Sequence, residues 1–291
     1  MITSRYFGDA GTGRRLGNQL FELASLVGLS HRYGLPLFLP REWEYAHFFQ
    51  LPQTIAVEEG RNAYVTLHEP AFTCCLDFFD RLVPMLGDTD FSVDGYLQSE
   101  KYWKDAEDDV RGMFAFSQIV KGYVDRCVAD YGVDTENGVA ISVRRGDFVT
   151  NPHHYLLPKE YYVTAYRRHF EGRPAYVFSD DADWCEANFR GMAPTVAFAR
   201  DMSPICQLAL MARFGNFIIA NSTFSWWGAY LSAARPKRVV RPVRHFDGGL
   251  LGLDLSDHYP DEWVALDHLA CPPNHITTVK KPKNHEIHPS V

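Results

Sequence analysis

Three short polar clusters in the second half of the 291-residue sequence combine side chains suited to a charged, hydroxylated ligand. The first is Arg144-Arg145-Gly146-Asp147, the second Ser179-Asp180-Asp181, and the third Asn221-Ser222-Thr223. Two guanidinium groups give planar, forked donors that match phosphate oxygens. A Ser/Thr-rich helix start offers hydroxyls, unpaired backbone N–H groups and the positive end of a helix dipole. A carboxylate such as Asp180 or Asp181 accepts hydrogen bonds from a ribose or from the N–H edge of guanine. Taken together they describe a nucleoside-diphosphate site. Singly, each has an ordinary structural explanation. Adjacent arginines usually pair with surface carboxylates, Ser222 or Thr223 suits an N-cap, and Asp180 and Asp181 are normal helix-start residues. Arg145-Gly146-Asp147 also spells a cell-adhesion tripeptide, which without a secretory signal reads as coincidence.

What raises the functional reading is where the clusters fall. Each follows a short apolar run that reads as a strand: Val139–Val143, Ala175–Phe178 and Phe217–Ala220. Helices are expected at 161–170, 182–189, 206–212 and 225–234, and a final strand at 238–240. Strands alternating with helices predict a parallel sheet with helices on both faces. Ligands of such sheets lie beyond the carboxyl ends of the strands, so the three clusters should share one rim. The N-terminal third repeats the pattern: an apolar start, a glycine loop (Gly8, Gly11, Gly13, Gly17), a helix through Leu16, Leu20, Leu23, Ala24 and Val27 stopped by Gly34, and a strand at 35–39. The polar stretch 134–137 suggests a linker. The expected domains are 1–137 and 138–270, with a loosely attached tail at 271–291.

Other motifs are weaker. The glycine loop matches neither the dinucleotide fingerprint nor the P-loop, since Gly13 is followed by Arg14-Arg15; it reads as a flexible turn or a backbone cradle, with Asn18 and Gln19 at the helix start. Asp88-x-Asp90 and Asp181-x-Asp183 have the spacing of a short manganese motif that is common by chance, so no metal is expected. His153 and His154 are either surface residues or a source of a general base. Trp43, Tyr45, Phe48 and Phe49 are either core or a sugar-stacking platform.

Composition bounds the rest. Hydrophobic residues are 46% and charged residues 22%, ordinary globular values. The net charge of −7 argues against broad nucleic-acid binding. No run approaches the apolar length of a membrane span and the start does not resemble a signal peptide. Six cysteines without a C-x-x-C read as reduced thiols. A cytoplasmic location is expected, with or without peripheral association at an inner membrane.

Five stretches carry a family resemblance: Gly13 to Phe21 (GRRLGNQLF), Gly95 to Trp103 (GYLQSEKYW), Ile141 to Val149 (ISVRRGDFV), Phe178 to Trp184 (FSDDADW) and Ile218 to Tyr230 (IIANSTFSWWGAY). In this order they resemble the α-1,2-fucosyltransferases of glycosyltransferase family 11. The resemblance implies an α/β, GT-B-like fold, two Rossmann-like domains with parallel sheets facing a cleft, the second holding GDP-β-L-fucose and the first on the acceptor side. It implies inverting transfer of L-fucose to the 2-hydroxyl of a terminal galactose, without a metal. By motif position Arg144, with Arg145 beside it, meets the diphosphate; Asp180 or Asp181 meets the guanosine; Ser222, Thr223 and Ser225 lie near the phosphates; Asn18 meets the pyrophosphate or the sugar. Asp147, His153 and His154 are the candidate bases near the donor loop. The chain departs from the family in having Arg14-Arg15 where glycines are usual and Ser142 where a histidine is frequent. The alternatives are a GT-B enzyme using another GDP-sugar or forming another fucosyl linkage, and a non-catalytic nucleotide- or glycan-binding protein.

Overall fold

A computed structural model describes residues 1–9, 13–60, 65–270 and the backbone of 283–287. The chain forms two compact units. The first comprises residues 1–117 and 253–261, the second 118–252 and 262–291.

The first unit is built on short parallel strands. β1 (Ile2–Thr3) pairs with a later strand, β5 (Phe91–Asp94), which also pairs with β4 (Val65–His68); β2 (Phe38–Leu39) and β3 (Ala56–Val57) form a separate parallel pair. The second strand is shorter than the apolar run 35–39 because Pro36 and Pro40 bracket it and remove ladder donors. Helix α1 (Leu16–Tyr33) ends where expected: Gly34 takes the left-handed conformation (φ 63°) and returns its N–H to His31. Further helices are α2 (Leu76–Leu82) and α3 (Glu107–Met113). Gly28 lets α1 lie directly on the backbone of a tight 3-10 turn at Glu100–Ala106, since a Cβ there would fall 2.2 Å from the Tyr102 carbonyl oxygen. Trp43 and Phe49 are 3% and 6% exposed and stack at 5.5 Å, with Phe7 and Phe114 against them. These two aromatic residues are core. Tyr45 and Phe48, at its edge, are partly buried.

The second unit opens with α4 (Gln118–Asp130), so it begins sixteen residues before the polar stretch at 134–137. That stretch is a turn, closed by the Asn137 N–H on Asp134 Oδ1, and joins α4 to its own sheet. The elements that follow are β6 (Val139–Val143), α5 (Lys159–His169), β7 (Ala175–Ser179), α6 (Ala182–Phe189), β8 (Thr195–Ala199), α7 (Pro204–Met211), β9 (Asn216–Ile218), α8 (Thr223–Tyr230), β10 (Arg238–Pro242), β11 (Val264–Leu266) and β12 (Lys283–Ile287). All pair in parallel, in the order β11-β10-β9-β6-β7-β8-β12. Alternation sorts the central strands. Val139, Ile141 and Val143 join Tyr161, Tyr162, Ala165, Cys185 and Phe189 in one buried cluster, and Ser142 points the other way, to α8. The expected tail is not wholly loose, because β12 extends the sheet along β8; residues 271–282 and 288–291 lie outside the described residues.

Cys74, Cys75, Cys127, Cys185 and Cys206 are free thiols, and Cys271 is outside the described residues. Among the described residues no helix is long and apolar enough to cross a membrane, and no group of three metal-ligating side chains gathers.

Candidate active site

The three polar clusters follow β9, β6 and β7, which are neighbours in the sheet and run the same way. They therefore do share one rim of the second unit. Arg144 and Arg145 leave the end of β6 in different directions and have different surroundings. The Arg144 guanidinium is 19% exposed and lies between two carboxylates: Nη1 is 2.5 Å from Asp180 Oδ2, and Nη2 is hydrogen-bonded to Asp147 Oδ1. Arg145 is committed to the protein. Its Nε donates to Asp181 Oδ2 at 2.9 Å, and its guanidinium carbon lies 4.0 Å from the centre of the Trp184 ring. A stacked, paired Arg fixes a loop more readily than it follows a ligand.

The Ser179-Asp180-Asp181 loop is built to meet them. Asp181 caps α6, accepting the Trp184 N–H at 3.1 Å, while its own N–H rests on Ser179 Oγ at 3.0 Å. Asp180 Oδ1 accepts the Arg145 backbone N–H at 2.9 Å and its other oxygen takes Arg144. Gly146 is what permits the approach: a Cβ there would sit 2.4 Å from Asp180 Oδ2. Trp184 and Gly146 were present in the motifs but had no role assigned from sequence. A stacking partner 39 residues away gives no periodic signal, and a glycine after two arginines reads as a turn.

At β9 the parts divide. Asn221 is 1% exposed, and its side-chain N–H groups bind the carbonyls of Tyr155 (2.9 Å) and His245 (2.6 Å). It ties two loops rather than facing solvent. Ser222 is extended and its hydroxyl makes no cap, so it leaves the first-turn N–H groups of α8 without that partner; Thr223 begins the helix, partly exposed. Ser225 is 1% exposed and bonded to Ser142, Oγ to Oγ, at 2.7 Å. That bond pins the start of α8 to the end of β6, and burial withholds the Ser225 hydroxyl from the rim. Ser142, one of the departures from the family pattern, is thus half of a buried pair.

Among the base candidates, Asp147 is 43% exposed but engaged by Arg144. His154 stacks face to face on Phe148 at 4.1 Å and packs against Phe246. Burial lowers its pKa below the usual histidine value; Arg144 and His153 act in the same direction and Asp147 opposes them. A folded-state pKa below the unfolded one means that stability is lost as pH falls through the unfolded value near 6.5. His154→Phe is therefore expected to flatten the fall in melting temperature between pH 7.5 and 5.5 and to leave turnover unchanged; a large loss of turnover at unaltered stability would restore His154 as a base. His153 is exposed, and its carbonyl accepts the Asp247 N–H.

Asn18 lies in the first unit, where its Oδ1 accepts from Gln98 Nε2 at 3.1 Å. The basic pair before α1 is also divided. Arg14, 12% exposed, is clamped by Glu22 (2.7 Å) and Asp94 (2.9 Å), while Arg15 is exposed at the N-cap. Glu22 is 1% exposed, bonded also to Ser4, and its pKa is raised by burial against the lowering effect of Arg14. The Asp181-x-Asp183 spacing is divided as well: Asp181 holds Arg145, and Asp183 pairs with Arg200 at 2.9 Å.

The model of the family described as Glycosyl transferase family 11 matches residues 9–267, spanning both units and every cluster above. The chain belongs to that family. Among curated relatives of this family 11 member, it is 36% identical over 143 residues to the Escherichia coli O-antigen biosynthesis glycosyltransferase WbnK, a match covering 46% of each chain. It is 28% identical over 183 residues to an E. coli alpha-1,2-colitosyltransferase, covering 60% of this chain and 61% of that one. It is 25% identical over 240 residues to galactoside alpha-(1,2)-fucosyltransferase 2 of Pongo pygmaeus, covering 75% and 67%. The first two matches thus span about half to three fifths of those relatives. A structure of Arabidopsis thaliana FUT1 in complex with GDP superposes with a TM-score of 0.57 at 13% identity, over 82% of this chain and 69% of that one. The shared fold is of the GT-B type, so the α/β, GT-B-like class expected from sequence holds.

Proposed function

We propose that this family 11 glycosyltransferase moves L-fucose from GDP-β-L-fucose to the 2-hydroxyl of a terminal galactose, inverting the anomeric centre and needing no metal. The observation that carries the donor half is the rim of the second unit: Arg144 at the end of β6, flanked by the Asp180 loop and by the α8 start that Ser222 leaves uncapped. The relative named as a galactoside alpha-(1,2)-fucosyltransferase supports the sugar and linkage, and the O-antigen relative favours a surface-polysaccharide acceptor.

In this reading the glycosidic bond breaks toward an oxocarbenium-like centre and negative charge gathers on the leaving diphosphate. Arg144 and the α8 dipole face that charge. Preorganised donors of this kind need not reorient as the charge forms. Arg144 meets two carboxylates in the free protein, so the incoming diphosphate replaces the more exposed of them, Asp147. Arg145, Trp184 and Asp181 hold the loop that carries Asp180 for the guanosine. Ser142 and Ser225 set the angle of α8 against β6 without touching the donor.

A panel of GDP-sugars with lactose-type acceptors, run with and without EDTA, tests the proposal. Consumption of GDP-fucose, undiminished by EDTA, is expected, because Asp181 and Asp183 are already bound to arginines. Loss of activity in EDTA, restored by manganese, would contradict the metal-free reading. The colitosyltransferase relative favours a second reading in which the donor is another GDP-linked deoxysugar. The same panel separates the two.

A further inference from the structure

The stretch Gly95 to Trp103 lies in the first unit and takes no part in the rim of the second. It leaves the carboxyl end of β5, the central strand of its sheet. Leu97 has a φ of 50° and is fully buried. The left-handed region is unfavourable for a bulky side chain, so neighbouring bonds must hold it there. Most of them come from Glu69, the first residue after β4. Glu69 Oε2 accepts the N–H groups of Tyr96 (2.9 Å) and Leu97 (3.0 Å), and Oε1 accepts the Tyr102 hydroxyl at 2.9 Å. Ser25 Oγ donates to the Leu97 carbonyl at 3.0 Å. Gly95 admits the carboxylate, since a Cβ there would lie 2.6 Å from Glu69 Oε2.

The consequence is seen at Tyr96. Leu97 is turned inward and Tyr96 outward, 48% exposed. The Arg14 guanidinium carbon stands 5.5 Å from the Tyr96 ring centre and Phe72 packs at 6.1 Å, so the ring is held as well as exposed. Strained backbone that fixes a large aromatic ring toward solvent is a mark of a ligand site rather than of core packing. The groups around the ring are polar. His68, 68% exposed, ends β4 beside Asp94 at the end of β5, with Nδ1 3.2 Å from Asp94 Oδ2. Arg14 joins this pair to Tyr96, because its guanidinium is also bonded to Asp94 (2.9 Å) and to buried Glu22 (2.7 Å). Its charge is thereby matched, which suits an uncharged ligand better than an anion. These side chains stand at the carboxyl end of a parallel sheet, where such folds bind ligands. An exposed ring bordered by hydrogen-bonding groups fits a neutral sugar, which carries C–H groups on its faces and hydroxyls around its edge.

We propose that this rim of the first unit is a sugar-binding site. Tyr96 is the platform on which a galactopyranoside stacks, His68 and Asp94 meet its hydroxyls, and Glu69 is the positioning residue that holds Tyr96 outward. The choice of galactose rests on the transfer reading above. In a β-galactoside the axial 4-hydroxyl leaves the hydrogens of C3, C4 and C5 together on the opposite face, an apolar patch about the size of one tyrosine ring.

The test is direct binding of methyl β-galactopyranoside to the full chain with no nucleotide present, read by saturation-transfer NMR and by titration. In the wild type, saturation should reach H3, H4 and H5 most strongly. Tyr96→Ala should raise the galactoside dissociation constant roughly tenfold, the scale of one lost aromatic contact. Tyr96→Phe keeps the ring and should bind as the wild type does. Both variants alter a half-exposed side chain of the first unit, so GDP affinity and melting temperature should not change. Glu69→Ala should weaken galactoside binding as much as Tyr96→Ala. Glu69→Gln, whose amide oxygen still accepts both N–H groups, should restore it. Should Glu69→Ala fail to fold, the Tyr96 pair decides the question alone. Wild-type galactoside affinity in Tyr96→Ala, saturation spread evenly over the sugar, or no galactoside binding by the wild type would overturn the assignment. Failure of the transfer reading looks different: GDP-fucose stays inert in a wild type that still binds the galactoside through Tyr96.

Discussion

Arg144→Ala should lower donor kcat/KM by roughly 10²–10³-fold, the usual cost of removing one preorganised donor at a developing negative charge. The effect should appear in kcat as well as in GDP affinity, because the charge Arg144 faces grows as the bond breaks. The fold should survive. Asp180 is 29% exposed and keeps the Arg145 backbone N–H, and Asp147 is 43% exposed, so neither carboxylate is left buried without a partner. Arg144→Lys should recover only part of the activity, since an ammonium keeps the charge but loses the fork that spans two oxygens. Turnover near the wild-type value in Arg144→Ala, with an unaltered melting curve, would remove the second-unit rim from the donor site.

Gly146→Ala should be the second most damaging change. The backbone at 146 does not need glycine's positive φ, so the damage must come from space. The new methyl would stand 2.4 Å from Asp180 Oδ2 and 3.2 Å from its Cγ. A short side chain bonded to both Arg144 and the Arg145 N–H cannot retreat without releasing them. Losing one such charged hydrogen bond is worth about 1.5–3 kcal/mol, which predicts a rise of roughly 10–100-fold in donor KM. The check is a double-mutant cycle. In an Asp180→Ala background the methyl meets no carboxylate, so Gly146→Ala should add little. Full additivity would show that Gly146 acts through the backbone of the 3-10 turn at Gly146–Val149 instead.

How much of this was legible follows from the length of each signal. The second unit was largely readable because its strands are continuous apolar runs ending in abrupt polar clusters. Val139–Val143 was placed to the residue, and so was α6, whose Asp181 cap and first-turn Asp183 mark its start. β8 was missed: Thr195–Ala199 is a five-residue run carrying two alanines and no polar rim cluster to flag it. The first unit was poorly readable because strands of two to four residues carry almost no periodicity.

Within the site, residue types were visible and partners were not. Sequence places Arg144 and Arg145 together; only the fold shows one turned to carboxylates at the rim and the other stacked on Trp184. Likewise nothing in the spacing links Arg14 to Asp94, 80 residues on, or His68 to the same carboxylate. Ser225 sits in a run that looks uniformly phosphate-facing, yet helical geometry turns it inward, three residues past the cap, onto Ser142.

The central claim is the bond made. Wild-type protein, GDP-fucose and a β-galactoside should give equal amounts of GDP and a fucosylated product, and two-dimensional NMR of that product reads both the anomer and the linkage. An α-fucosyl signal correlated with C2 of galactose is the predicted result. A β-anomer, attachment at another hydroxyl, or inert GDP-fucose alongside consumption of a different GDP-sugar would contradict the account.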